Sequence, residues 1–195
     1  MKRLFSVLLV LGLGILLVTG CAQEQAPSNG NGAHGLGWAL NIANGIRDTQ
    51  LPGAKLNQIA GSYVNINGEI TQGGGGILEG GLWSFSYYKG NDEFLAVNVY
   101  YDHPTDYHDP GGAMYLQEIP PYMDAAAWVQ AADSAIAVTF ISRAVQVFAD
   151  AEDWHPTADN LAIIYYYPDD PPRDHIVEVH IDADTSTVLG VYPGP

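Results

Sequence analysis

The chain has 195 residues, and its 22 Asp and Glu residues outnumber its seven Lys and Arg residues, so its formal net charge at pH 7 is −15. A protein this acidic is repelled by nucleic acid and by anionic lipid surfaces, and both are excluded as partners of its folded part. Its single cysteine, Cys21, excludes an internal disulfide and a metal site built from several thiolates.

The first 21 residues indicate export and lipid anchoring. Lys2 and Arg3 precede an apolar run of 15 residues, which is too short to span a bilayer and is typical of a secretory signal. The small residues of Val18-Thr19-Gly20 before Cys21 resemble the lipobox of bacterial lipoproteins. This resemblance implies that residues 1–20 are a signal peptide and that the Cys21 thiol carries diacylglycerol. Two or more acyl chains then anchor the protein firmly without crossing the membrane.

Removal of this signal leaves five Lys and Arg against 22 Asp and Glu, a formal charge of −17, and acylation of Cys21 leaves no thiol for catalysis. Residues 21–35 are polar and rich in Gly and Asn, and we expect a flexible tether. Ala22, rather than Asp, follows the cysteine, which favours the outer membrane in bacteria with two membranes. The sequence therefore predicts a lipid-anchored, extracytoplasmic protein of the bacterial envelope. An ordinary signal peptide with a chance cysteine is the alternative.

The rest of the chain predicts two similar units, the first of which covers residues 36–102. Apolar residues from Leu36 to Ile46 recur at helical spacing and predict a short helix that ends before Pro52. Alternation predicts a strand over 63–68 and a β-hairpin over 82–101. The first strand of this hairpin carries an aromatic stripe, formed by Trp83, Phe85 and Tyr87.

The second predicted unit covers residues 124–195 and follows a linking loop over 103–123. Asp133-Ser134 offers a helix cap, and the residues behind it line one helical face, namely Ile136, Ala137, Phe140, Ile141, Ala144 and Phe148. Residues 125–132 either extend this helix backward or form a lead-in. A hairpin over 161–181 and a short strand over 187–192 complete an α+β unit in which one helix packs on antiparallel strands.

This order of elements resembles the PepSY-like family of secreted and lipid-anchored bacterial proteins. Trp128 leading into Ala132-Asp133-Ser134-Ala135-Ile136 is similar to that family's helix start. The run from Val177 to Thr185 resembles its closing strand and Asp-Ala-x-Thr-Gly turn, with Ser186 in the place where the family usually has Gly. The first unit resembles a diverged copy, through Pro52-Gly53-Ala54-Lys55-Leu56, Asn67-Gly68, Trp83-Ser84-Phe85 and Val97-Asn98-Val99.

The PepSY resemblance implies a non-catalytic module without a cofactor. PepSY domains occur in protease propeptides and on cell surfaces and are thought to inhibit or regulate peptidases, and the family has no catalytic residues to carry over. We therefore expect a binding module whose partner is a peptidase or another envelope protein. A small sheet with a helix on one face leaves its other face or an edge free for a partner segment.

A metal-dependent hydrolase is the main alternative. Residues 102–109 contain two histidines and three aspartates, and His103, Asp106, His108 and Asp109 are the candidate ligands for zinc, manganese or iron. The two histidines are five residues apart with Pro104 between them, so they do not match the HExxH spacing that places two ligands on one helix face. A solvated loop between the units is the competing interpretation of this segment.

Several other patterns are weaker. His175 and His180 lie an odd number of residues apart on one predicted strand, which predicts that they face opposite sides. Asp182-Ala183-Asp184-Thr185-Ser186 begins like a calcium loop but lacks the glycine and closing glutamate of an EF-hand. The aromatic stripe of Trp83, Phe85 and Tyr87 suggests a sugar-stacking platform, and hence a carbohydrate-binding lipoprotein, although such a stripe is more often core.

A serine hydrolase lacks support in the sequence. Ser84, Ser86 and Ser134 have no glycine-flanked elbow and no obvious His and Asp partners.

Overall fold

The structure is a computed structural model of the chain, and it describes residues 34–73, 80–90, 92–112, 117–120, 124–149, 155–169 and 174–195. The predicted signal peptide, the lipidation site Cys21 and residues 22–33 of the predicted tether lie outside the described residues. His34 and Gly35, at the end of that predicted tether, form the short strand β1, which pairs with β3 at Glu69–Ile70.

Two helices are present in the described part of the chain, α1 over Leu36–Gln50 and α2 over Ala125–Ala135. The predicted first helix is confirmed, since Leu36, Ala39, Leu40 and Ala43 are buried along one side of α1. Pro52 lies just beyond its end, where a ring without an N–H cannot continue the helix. Asp124 caps α2 by accepting a hydrogen bond from the backbone N–H of Ala127 at 3.1 Å.

Eight strands form one antiparallel sheet in the order β10-β9-β8-β7-β2-β4-β5-β6. In chain order these strands are β2 Lys55–Ser62, β4 Leu82–Lys89, β5 Glu93–Tyr100, β6 Asp106–His108, β7 Ser142–Ala149, β8 Asn160–Tyr167, β9 Val177–Asp182 and β10 Thr187–Pro193. The predicted hairpins are confirmed as β4–β5 and β8–β9, and the predicted last strand is β10. The chain is thus a mixed α+β protein, as predicted.

Both helices pack on the same face of this sheet and share one hydrophobic core. Helix α1 lies against β4 and β5, and α2 lies against β8, β9 and β10. The largest side chains in this core are fully buried, namely Trp83, Phe85, Tyr87, Trp128, Ile164 and Tyr166. A smaller cluster lies on the opposite face of the sheet and contains Phe148, Ala158, Leu161 and Ile163.

The helix predicted behind Asp133-Ser134 is wrong. Helix α2 ends at Ala135, close to where that helix was expected to begin, and residues 142–149 form strand β7. Strand β7 pairs with β2 over Gln58–Ser62, a contact between residues 82 to 90 positions apart in the sequence that outweighs local helical periodicity. Ile141, predicted to be buried, is 64% exposed, whereas Phe148 is buried as predicted.

The strand predicted over 63–68 is also wrong, because β2 ends at Ser62 and the chain then turns. Tyr63 has φ 52°, in the left-handed region that an extended strand does not contain. The side chain of Asn65 accepts hydrogen bonds from the backbone N–H groups of Asn67 and Glu69 and so stabilises the turn.

In the part of the chain that the structure describes, no helix combines the length and the apolar character needed to cross a membrane.

Candidate binding surface

The predicted metal loop is partly a strand. Residues 106–108 form β6, which pairs with β5 at the edge of the sheet, so this part of the segment is a strand and not the loop between units that the sequence suggested. The Asp106 carboxylate accepts hydrogen bonds from Asn98 Nδ2 at 2.8 Å and from the Tyr100 hydroxyl at 2.9 Å. Its oxygens are therefore engaged by neutral donors of β5.

The other residues of this segment do not converge on one point. His103 Nδ1 lies 2.6 Å from Asp102 Oδ1, and Asp109 Oδ1 accepts from the backbone N–H of Gly111. Within the described ranges, no group of three or more His, Cys, Asp or Glu side chains is placed to hold a metal ion. The geometry therefore offers no observation in favour of a metal-dependent hydrolase at residues 102–109.

The turn at 182–186 is held by its own hydrogen bonds. Asp182 Oδ1 accepts from the backbone N–H groups of Asp184 and Thr185, as in an Asx turn. Ser186 has φ 57°, a conformation that glycine adopts more readily. The position at which the PepSY family usually has Gly therefore has the left-handed backbone that favours Gly.

The aromatic stripe of β4 belongs to the core and is not a sugar-stacking platform. Trp83, Phe85 and Tyr87 have no exposed surface, and the Tyr87 hydroxyl donates to Asn44 Oδ1 of α1 at 3.1 Å. Ser134, one of the serines considered as a nucleophile, donates its hydroxyl to the carbonyl of Gln130 in the last turn of α2. Ser84 and Ser86 point to the opposite side of β4.

That opposite side of the sheet carries neither helix, and we call it the open face. Strand pairing places its side chains in rows that cross seven or all eight strands. One row consists of Gly190, His180, Ile163, Gln146, Ala60, Ser84, Asn98 and Asp106. The next row consists of Tyr192, Glu178, Tyr165, Ala144, Ser62, Leu82 and Tyr100.

Side-chain size makes a trough in the middle of the open face. The central strands β7, β2 and β4 present mostly small, half-buried side chains, which are Ala144, Ala60, Ser62, Ser84 and Ser86. Gln146 of β7 and Leu82 of β4 are larger side chains on the same face. Tyr165 on β8 and Tyr100 on β5 stand on either side. These two flanking strands are four strand spacings apart, or about 19 Å, which exceeds the roughly 10 Å diameter of an α-helix.

A cleft of about 340 Å³ lies at one end of this trough, where β2 ends and β7 begins. Its lining residues are Tyr63, Val64, Asn65, Thr71, Gln72, Ile141, Ser142 and Arg143. Ser142 is 7% exposed, and its Oγ has no hydrogen-bond partner among the described residues. A buried hydroxyl without a partner costs free energy.

Sequence reasoning also missed a histidine cluster beside the trough. His175 and His180 do not face opposite sides of one strand, because β9 begins at Val177, after His175. Both imidazoles contact the same carboxylate, with each Nε2 lying 3.3 Å from an oxygen of Glu178. His155 reaches His180 from another segment. No local pattern signals this contact, since 25 residues separate the two.

No family model, curated protein or solved structure matches the chain. We therefore base the proposed function on the arrangement of the side chains.

Proposed function

We propose that this protein is a lipid-anchored binding module of the bacterial envelope, made of two similar PepSY-like units. It binds a protruding helix or hairpin of another envelope protein, such as a peptidase, in the trough of its open face. In this proposal the lipid on Cys21 supplies the membrane attachment and the tether supplies reach. The protein acts by binding and not by catalysis.

The path of the chain supports the two similar units. In each half a helix precedes four strands of the eight-stranded sheet, and each of these strands pairs with the next strand of that sheet along the chain. The first strand of each half, β2 or β7, lies at the centre, where these two strands pair with each other. The strand order of one half is thus the reverse of the other, as expected if two copies of one unit met edge to edge.

The observation that carries the binding proposal is the composition of the open face. Sheets that face only water usually present long polar or charged side chains, whereas the trough presents mostly alanine and serine between tyrosines, with Gln146 and Leu82 as its larger side chains. Tyrosine is enriched in binding surfaces because it combines a large apolar ring with one hydrogen-bonding group. Small side chains between such rings leave room for a partner segment.

Electrostatics favour a basic partner. Three of the described cations are already engaged in ion pairs, Arg47 with Asp48, Lys55 with Glu118 and Arg143 with Asp133. The remaining acidic residues leave a strongly negative field around the folded part. That field accelerates association with a basic segment and opposes an acidic one.

The test uses the full chain to recover its partner from native envelopes, followed by affinity measurements with two matched variants. Ser84→Tyr places a ring in the middle of the trough, and Asn41→Tyr places the same ring on the exposed side of α1. We expect Ser84→Tyr to weaken binding of a basic protein partner at least tenfold, while Asn41→Tyr binds like the parent.

Two outcomes would contradict this proposal. Equal affinity of the two variants would show that the trough is not the binding surface. Selective binding of a polysaccharide, with no protein partner, would favour the carbohydrate-binding alternative. Unchanged melting temperatures of both variants are the control for folding.

A further inference from the structure

Three histidines and one glutamate form a continuous chain on the second half of the sheet. His155 Nε2 lies 2.7 Å from His180 Nδ1, and His180 Nε2 lies 3.3 Å from Glu178 Oε1. The other oxygen of Glu178 lies 3.3 Å from His175 Nε2. His180 is only 3% exposed, and the Tyr192 ring lies against it with 4.5 Å between ring centroids.

The contacts define which nitrogens carry protons at neutral pH. A carboxylate only accepts, so His180 donates its Nε2–H to Glu178. Neutral His180 then has a lone pair at Nδ1, and His155 donates its Nε2–H to it. The His155–His180 pair can bind one additional proton and keep this hydrogen bond. A second additional proton puts an N–H group on each side of the 2.7 Å contact, and the hydrogen bond is lost.

The His155 contact lies beside the small apolar cluster of the open face. Ala158 follows three residues later, bonds back to the His155 carbonyl, and is buried against Phe148, Leu161 and Ile163. Segment 155–158 therefore covers part of this cluster through Ala158, and the His155–His180 bond is one of the contacts that hold the segment in place.

We propose that the His155–His180 hydrogen bond is acid-sensitive. It keeps segment 155–158 on the open face at neutral pH. In mild acid the bond breaks and the segment is released, which uncovers Phe148, Leu161 and Ile163. Release enlarges the apolar part of the open face next to the trough. This pH response of the His155–His180 hydrogen bond does not depend on whether the trough binds a partner.

The charges around His180 explain why acid opens the contact. Glu178 and Asp182 share its side of β9, Tyr165 lies on β8 and Tyr192 on β10, and His155 and His175 approach from the flanking segments. Full protonation places three imidazolium charges around Glu178. The Asp182 carboxylate accepts two backbone N–H groups of its own turn.

The burial of His180 also favours loss of this contact in acid. Desolvation lowers the pKa of His180 below its ordinary value, and the charge of Glu178 opposes this only in part. The unfolded chain therefore binds this proton more tightly than the folded chain does. The stability that depends on neutral His180 is present above the ordinary histidine pKa of about 6.5 and is lost as the pH falls below it.

Two variants of the full chain, purified in detergent, test the proposal through opposite effects. His155→Gln keeps a donor for His180 but carries no charge, so its unfolding equilibrium constant should change less between about pH 7 and about pH 5 than that of the parent. Glu178→Gln removes the compensating charge and should increase the acid dependence. We expect the ratio of the unfolding equilibrium constants of the parent and His155→Gln to change by about tenfold between these two pH values.

His108→Gln is the matched control, since His108 is exposed on β6, and its pH profile should follow the parent. Hydrogen exchange supplies a second readout that does not require global unfolding. In mild acid the amide of Ala158, which donates to the His155 carbonyl, should lose protection in the parent before the amides of β8 and of the rest of the sheet do. Three outcomes would overturn the proposal: parallel pH profiles for His155→Gln and the parent, uniform loss of protection, or a zinc-dependent rise in melting temperature that His155→Gln abolishes, since the last would indicate a metal site.

Discussion

Asp133, near the end of α2, holds Arg143 of β7 in a two-point ion pair. Arg143 Nε lies 3.0 Å from Asp133 Oδ1, and a terminal guanidinium nitrogen lies 2.5 Å from Oδ2. The Tyr166 hydroxyl donates to the same Oδ1 at 2.8 Å, and Arg143 also donates to the carbonyl of Val64 at 3.0 Å. One carboxylate thus connects α2, β7 and β8, and Arg143 extends the connection to the turn after β2.

Replacement of Asp133 by Ala should lower the free energy of unfolding by about 2 to 3 kcal/mol, because it leaves a mostly buried guanidinium and a buried hydroxyl without their acceptor. Asp48→Ala removes an exposed partner of Arg47 and should cost less than about 0.5 kcal/mol. Urea unfolding of both variants measures the difference. A loss of similar size in both would contradict the role given to Asp133.

The same residues show why the helix behind Asp133 was mispredicted. Asp133-Ser134 has the composition of a helix cap, but its carboxylate bonds to side chains 10 and 33 residues away. Ile141, Ala144 and Phe148 recur at helical spacing, while Val145 and Val147 also alternate as in a strand. Pairing with β2 decides between these two patterns, and no local window contains that information.

The elements whose sequence patterns lie within or directly beside the element itself were predicted well. Helix α1 has one apolar side and a proline after its end, and β4 alternates aromatic and serine residues between turn residues. The open face could not be predicted, because the placement of Ala60 beside Ser84 and Gln146 depends on the order of three strands from both halves. The His155–His180 contact likewise depends on the path of a loop.

Gly61 of β2 faces the Trp83 ring so closely that a Cβ atom there would overlap the ring atom Cζ3. Trp83 is fully buried and cannot move without disturbing the core. We expect Gly61→Ala to lower the free energy of unfolding by about 1 to 3 kcal/mol, as other overpacking substitutions do.

The matched control is Gly45→Ala on the exposed side of α1, where an added Cβ meets nothing within 4 Å. Alanine is the better helix former, so this variant should gain about 0.5 to 1 kcal/mol. The thermal and urea unfolding midpoints of the two variants should therefore shift in opposite directions from those of the parent. A neutral Gly61→Ala would show that the β2–β4 contact is looser than described.

Cys21→Ser tests the anchor. Serine cannot form the thioether to diacylglycerol, and no apolar run after residue 21 is long enough to hold the chain in a bilayer. We expect the variant to leave the membrane fraction after a high-salt wash, while Thr19→Ala, which keeps a small residue before the cysteine, stays with it. Retention of Cys21→Ser in washed membranes would contradict lipid anchoring.

Tyr87 and Tyr166 should make the fold sensitive to alkali. Burial raises the pKa of both hydroxyls, and the hydrogen bond to Asp133 raises that of Tyr166 further. The folded chain therefore keeps these protons more tightly than the unfolded chain, whose tyrosines ionise at about pH 10. This stability is complete below that pH and is lost as the pH rises above it.

Tyr166→Phe separates this ionisation from general alkaline denaturation. The variant should lose about 1 kcal/mol at neutral pH, because Asp133 loses one donor, yet its stability should fall less steeply above about pH 10. Tyr107→Phe, at an exposed position on β6, should keep the slope of the parent. Urea unfolding across this pH range, with tyrosinate absorbance followed in parallel, measures both slopes. If the Tyr166→Phe slope equals that of Tyr107→Phe, the buried hydroxyl of Tyr166 is not the group whose ionisation opens the fold.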